Sequence, residues 1–93
     1  MRFELNSATP INDAVLTLVL ARLSAEGLVG AARVRLDVRH DVDHAANAIV
    51  VRGSGEAFES ITRIFTSLLA REFGEDAFVA RTLDRSAPEP TAA

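Results

Sequence analysis

Arg33-Val34-Arg35-Leu36-Asp37-Val38-Arg39 alternates charged and apolar residues without a break. A period of two puts Val34, Leu36 and Val38 on one face of a strand and the charged residues on the other. His40 to Ala45 is a short polar connection. Ala46 to Arg52 follows as a second, more apolar strand, of the kind found inside a sheet rather than at its edge. So short a connection predicts an antiparallel hairpin at the centre of the chain.

The pattern changes on both sides of this hairpin. Upstream, Thr9 is a good N-cap, Pro10 suits the first helical position and Asp13 favours the positive end of a helix. A helix is predicted from about Pro10 to Glu26, with Gly27 as its stop. Downstream, Gly53-Ser54-Gly55 breaks the strand, and Ser54 can cap a helix that ends at Gly74. There Ala57, Phe58, Ile61, Ile64, Phe65, Leu68 and Leu69 fill one arc of the helical wheel. Arg2 to Asn6 and Ala77 to Leu83 supply an outer pair of strand-like runs, with Phe3, Leu5 and Phe78 facing inward.

The order is therefore β-α-β-β-α-β. Short connections and right-handed crossovers leave few arrangements for it. The favoured one is an α+β, ferredoxin-like βαββαβ two-layer sandwich: a four-stranded antiparallel sheet with two helices on one face. A split KH-like or other α+β arrangement is the alternative. Residues 1–83 form a single domain in this reading, and 84–93, with Pro88 and Pro90, are expected to be a disordered C-terminal tail. A chain of 93 residues is one domain with a small core, which association would help to stabilise.

Composition excludes more than it selects. There is no Cys, hence no disulfide framework, thiolate nucleophile or cysteine zinc cluster. No stretch reaches the roughly 18 apolar residues of a membrane-spanning helix, so the expected location is cytoplasmic with no membrane partner. All ten basic residues are Arg, and the formal charge is −3, which disfavours nucleic acid. An outer sheet face carrying Arg2, Glu4, Arg33, Arg35, Asp37 and Arg39 lacks the aromatic platforms that hold single-stranded bases.

The chemical inventory is equally thin. His40, Asp41, Asp43 and His44 form the densest group of ligand-type side chains, yet a hairpin connection does not fix the geometry a metal needs. They are candidates only, and no metal or cofactor is expected. Gly53-Ser54-Gly55-Glu56 lacks the lysine of a phosphate-binding loop. Ser54 with His40 or His44 and Asp41 or Asp43 has no spacing that supports a catalytic relay, so no catalytic residue is assigned and no enzyme activity is expected.

The two helices differ. Ile11, Val15, Leu18 and Val19 fill one sector of the first helix, Leu16, Leu20 and Leu23 another, and Ala14, Ala21 and Ala25 extend the apolar cover on the far side. Only Asp13, Thr17 and Ser24 leave a thin polar stripe. A helix apolar nearly all round is normally buried on more than one side. The expectation is a small interaction or assembly module acting as a homo-oligomer, with Leu16, Leu20 and Leu23 at its interface and a protein partner as a further possibility.

Gly27-Leu28-Val29-Gly30 before the second strand, and Val50-Val51-Arg52-Gly53 before the second helix, resemble small regulatory ferredoxin-like domains such as ACT domains and PII-like proteins. The likeness spans residues 2 to 83 in pattern. It implies, as an alternative function, a regulatory small-molecule sensor with its ligand between chains near the Gly53 turn. No ligand-binding motif of either family can be carried over residue by residue.

Overall fold

The structure is a computed structural model that describes residues 1–82. Its elements run β1 (Arg2–Leu5), α1 (Ile11–Val29), α2 (Ala31–Asp37), β2 (Val38–Asp43), β3 (Ala48–Gly53), α3 (Gly55–Phe73), a 3-10 turn (Glu75–Ala77) and β4 (Phe78–Arg81). The chain is α+β, with a four-stranded sheet of order β2-β3-β1-β4 in which every neighbouring pair is antiparallel. β1 and β3 lie inside, β2 and β4 at the edges. The expected tail, Asp84 to Ala93, lies outside the described residues, as does Leu83.

Alternation along the strands separates two faces. Phe3 and Leu5 of β1 and Ile49 and Val51 of β3 turn toward the helices and join Leu18, Ile61, Phe65 and Leu69 in one core. Arg2, Glu4, Arg39, Asp41, Arg52 and Arg81 occupy the other face. There Glu4 accepts hydrogen bonds from Arg2 (3.1 Å) and Arg81 (2.7 Å), and Arg52 donates to Asp41 at 3.1 Å. Arg81 foremost and Arg2 next hold the Glu4 carboxyl below its ordinary range.

Three helices stand where two were expected, and the extra one corrects the strand expected over Arg33–Arg39. That segment is α2 up to Asp37, and the strand begins only at Val38. Register explains it. Val38 pairs with Gly53, the last residue of β3, and α3 starts at Gly55, so residues before Val38 have no strand to pair with. A period-two pattern without a partner leaves its backbone groups unbonded. A helix satisfies them locally, and Ala31, Ala32, Arg33 and Arg35 favour it. Val34 is buried in either form, but Leu36, expected to face inward, is 79% exposed. Arg33, Arg35 and Asp37 leave the sheet face with it.

The helix ends shift too. α1 passes through Gly27 to Val29 and stops where Gly30, at φ 96°, donates its N–H to Glu26. Left-handed backbone of that kind favours glycine. Thr9 does not cap α1: its buried hydroxyl donates to Asn6 Oδ1 at 2.8 Å, and Pro10 holds the cap position with no side-chain bond. Ser54 sits at the cap of α3 in extended conformation, again without a side-chain bond.

Candidate functional site

α1 packs on the core through Leu18 and four small residues. Ala14, Thr17, Leu18, Ala21 and Ala25 are buried, and Thr17 donates its hydroxyl to the Asp13 carbonyl one turn back. This corrects two details: the alanines are the core face rather than the far side, and Thr17 is not on a polar surface stripe. Short side chains let the helix lie close to α3. They also leave the larger ones elsewhere.

At about 100° per residue, the direction opposite the buried set is filled by Leu16, Val19, Leu20 and Leu23. Their exposures are 64, 41, 55 and 57%. The positions follow i, i+3, i+4, i+7, so the four share one face and form a continuous stripe. Asn12 and Gly27 continue the same line at its two ends, both exposed. No charged residue lies on it. Within one chain, α1 is therefore buried on one side only, and the second apolar side expected from the sequence meets solvent. Leu16, Leu20 and Leu23 were legible as a separate sector. Val19 was placed with Ile11 and Val15, which are half-buried, because its wheel position lies on the boundary between the two sides.

The ligand-type cluster is taken apart by β2. His40, Asp41 and Asp43 are strand residues rather than a loop, and only His44 lies in the turn. Successive strand residues point to opposite faces. His40 is half-buried on the helix side, where burial foremost and the Arg22 guanidinium next lower its pKa, partly opposed by Asp41. Asp41 is held by Arg52 on the other face, and Asp43 Oδ1 accepts the Ala46 N–H at 3.1 Å to shape the turn. Among the described residues no three His, Asp or Glu side chains gather closely enough to hold a metal ion.

Two shallow depressions of about 410 Å³ each run along α3. Met1, Thr62 and Thr66 line one, Leu28, Ser60 and Ile64 the other, and Glu59 and Arg63 border both. Neither includes Gly53. No described helix is long and apolar enough to cross a membrane.

A residue overlooked in the sequence closes the opposite end of the domain. Asn47, at φ 52°, donates from Nδ2 to the Asn6 carbonyl at 2.9 Å, with the Leu5 and Thr9 carbonyls each at 3.4 Å. Its own carbonyl accepts the Leu5 N–H at 2.9 Å. The hairpin turn is thus pinned to the segment entering α1. The strand expected from Ala46 starts instead at Ala48, and the signal was an Asn, a turn former, as the second residue of the expected run.

No protein-family model matches the chain, and neither the curated proteins nor the solved structures contain a significant match.

Proposed function

We propose that this chain is a non-enzymatic assembly module that works as a homo-oligomer through the outer face of α1. Its scaffold is best described as a ferredoxin-like sandwich with one helix added before the second strand. The central placement of β1 and β3 and the helices gathered on one face support that description. The observation that carries the function is the uncharged stripe of Leu16, Val19, Leu20 and Leu23 on the side of α1 turned away from the core. Hiding such a leucine from water contributes on the order of 2 kcal/mol. Apart from Leu18, this helix turns small side chains to its own core and places its other leucines before Gly27 on the surface.

Light scattering at micromolar concentration tests this. The expected mass is at least two chains. The double variant Leu16→Glu, Leu20→Glu should be monomeric with an unchanged circular dichroism spectrum, because charges entering an apolar interface lose hydration without gaining partners. A wild-type chain that stays monomeric up to ~100 μM contradicts the proposal, since specific interfaces of ordinary size bind more tightly than that.

A further inference from the structure

The stripe on α1 has an internal symmetry. Leu16 and Leu23 lie equally far on either side of the Val19–Leu20 midpoint, and so do Asn12 and Gly27. We infer that, with α1 as the association surface proposed above, its occupant is α1 of a second copy running antiparallel. A two-fold axis would pass beside the Val19–Leu20 midpoint. Leu16 then meets Leu23 of the second copy, Val19 and Leu20 each lie beside their own counterparts at the axis, and Asn12 stands level with Gly27. A closed two-fold interface requires one patch to complement itself in this way.

The flanks agree with that arrangement. Asp13 and Ser24 border one side of the stripe, and Val15, Arg22 and Glu26 the other. A two-fold axis sets each flank against its own copy. Asp13 therefore falls near Ser24 and Gly27 of the second chain, and Glu26 near Asn12 and Val15, so no like charges meet. Antiparallel helix dipoles attract, whereas parallel ones repel. Gly27 reserves space: a Cβ there would have nothing within 4 Å inside its own chain. Opposite Asn12, that gap lets the helix ends approach.

From Asn12 to Gly27 the stripe is about 22 Å long at 1.5 Å per residue. A helix pair in contact over that length covers on the order of 500 Å² per chain, near the lower edge of specific interfaces.

Introduced cysteines read the geometry directly, because the chain has none of its own. Val19→Cys, close to the axis, should cross-link to itself under copper–phenanthroline oxidation. Leu16→Cys alone should not, because the two copies of that position stand about 10 Å apart along an antiparallel pair. An equimolar mixture of Leu16→Cys and Leu23→Cys chains should give the mixed cross-linked dimer. If Leu16→Cys readily cross-links with itself, the pair is parallel, and the antiparallel inference fails while the oligomer stands. If Val19→Cys does not cross-link while the Leu16→Glu, Leu20→Glu variant is monomeric, the pairing about Val19 and Leu20 fails and the α1 interface stands. If that variant stays dimeric by light scattering, the interface lies off α1, and both proposals fall.

Discussion

The Phe65 ring meets the Phe3 ring edge-on, with centroids 4.7 Å apart and planes at 70°. Both residues are fully buried, one from α3 and one from the inner strand β1. Their contact joins the helical layer to the sheet. Edge-to-face pairs add about 0.5–1.5 kcal/mol beyond the area they bury. Phe65→Ala should cost about 3–5 kcal/mol in urea unfolding, much of the 5–15 that domains of this size possess. Arg63→Ala, on the exposed side of the same helix, should stay within about 0.5 kcal/mol. A mild Phe65→Ala beside a severe Arg63→Ala would mean that α3 faces the other way.

One substitution should act with opposite signs at two glycines. Gly53 has φ 152°, and a Cβ there would stand 2.1 Å from the Asp37 carbonyl oxygen where α2 hands over to β2. That neighbour is backbone and cannot swing aside. Gly53→Ala should destabilise by about 2–4 kcal/mol. Gly27 lies inside α1 with open space around it, and Gly27→Ala should raise monomer stability by about 0.5–1 kcal/mol. Thermal melts of both variants, each in the Leu16→Glu, Leu20→Glu background, check the pair. Equal effects in either direction would refute the placement of the two glycines.

The arginines on Glu4 make part of the stability sensitive to acid. Arg81 and then Arg2 lower its folded-state pKa by hydrogen bonding to the charged form. The stabilisation is fully present above the ordinary value of 4.5, and it is lost as pH falls through the lowered folded-state value. Glu4→Gln should therefore flatten the acid limb of the stability–pH curve and leave the limb above neutrality unchanged. An acid limb as steep as the wild type's would show that the two arginines do not act on this carboxylate.

What the sequence disclosed depended on whether a signal was local. α3 was legible because Ile61, Phe65 and Leu69 bury one face while Glu59, Arg63 and Ser67 stay outside. Periodicity and burial agree along most of its length, the exception being Thr62, which is buried with its hydroxyl donated to the Phe58 carbonyl. α2 was not legible, because Arg33 to Arg39 carries the pattern of a strand, and the end of its would-be partner at Gly53 is a fact of register. His40, Asp41 and Asp43 looked like a loop cluster for the same reason: starting β2 too early pushed its second half into the turn. The α1 stripe was half-legible. Its leucines stood out, but which side faced the core depended on alanines that carry little hydrophobic weight.

Asn47 yields the last prediction, because its backbone and side-chain roles can be separated. At φ 52° it occupies left-handed backbone, which Asn tolerates better than most residues and Gly tolerates freely. Its Nδ2 also holds the segment before α1 through the Asn6 carbonyl at 2.9 Å. Asn47→Gly removes the side-chain bond and keeps the backbone, so it should cost about 0.5–1.5 kcal/mol, the usual net worth of a hydrogen bond. Asn47→Ala removes the bond and adds the strain of a Cβ in left-handed backbone, roughly 1 kcal/mol more. Urea midpoints should fall in the order wild type, Gly, Ala, with unchanged slopes. Should Ala equal or exceed Gly, the turn does not hold Asn47 in the left-handed region; should Gly match the wild type, the hairpin is pinned to the α1 entry by its backbone alone.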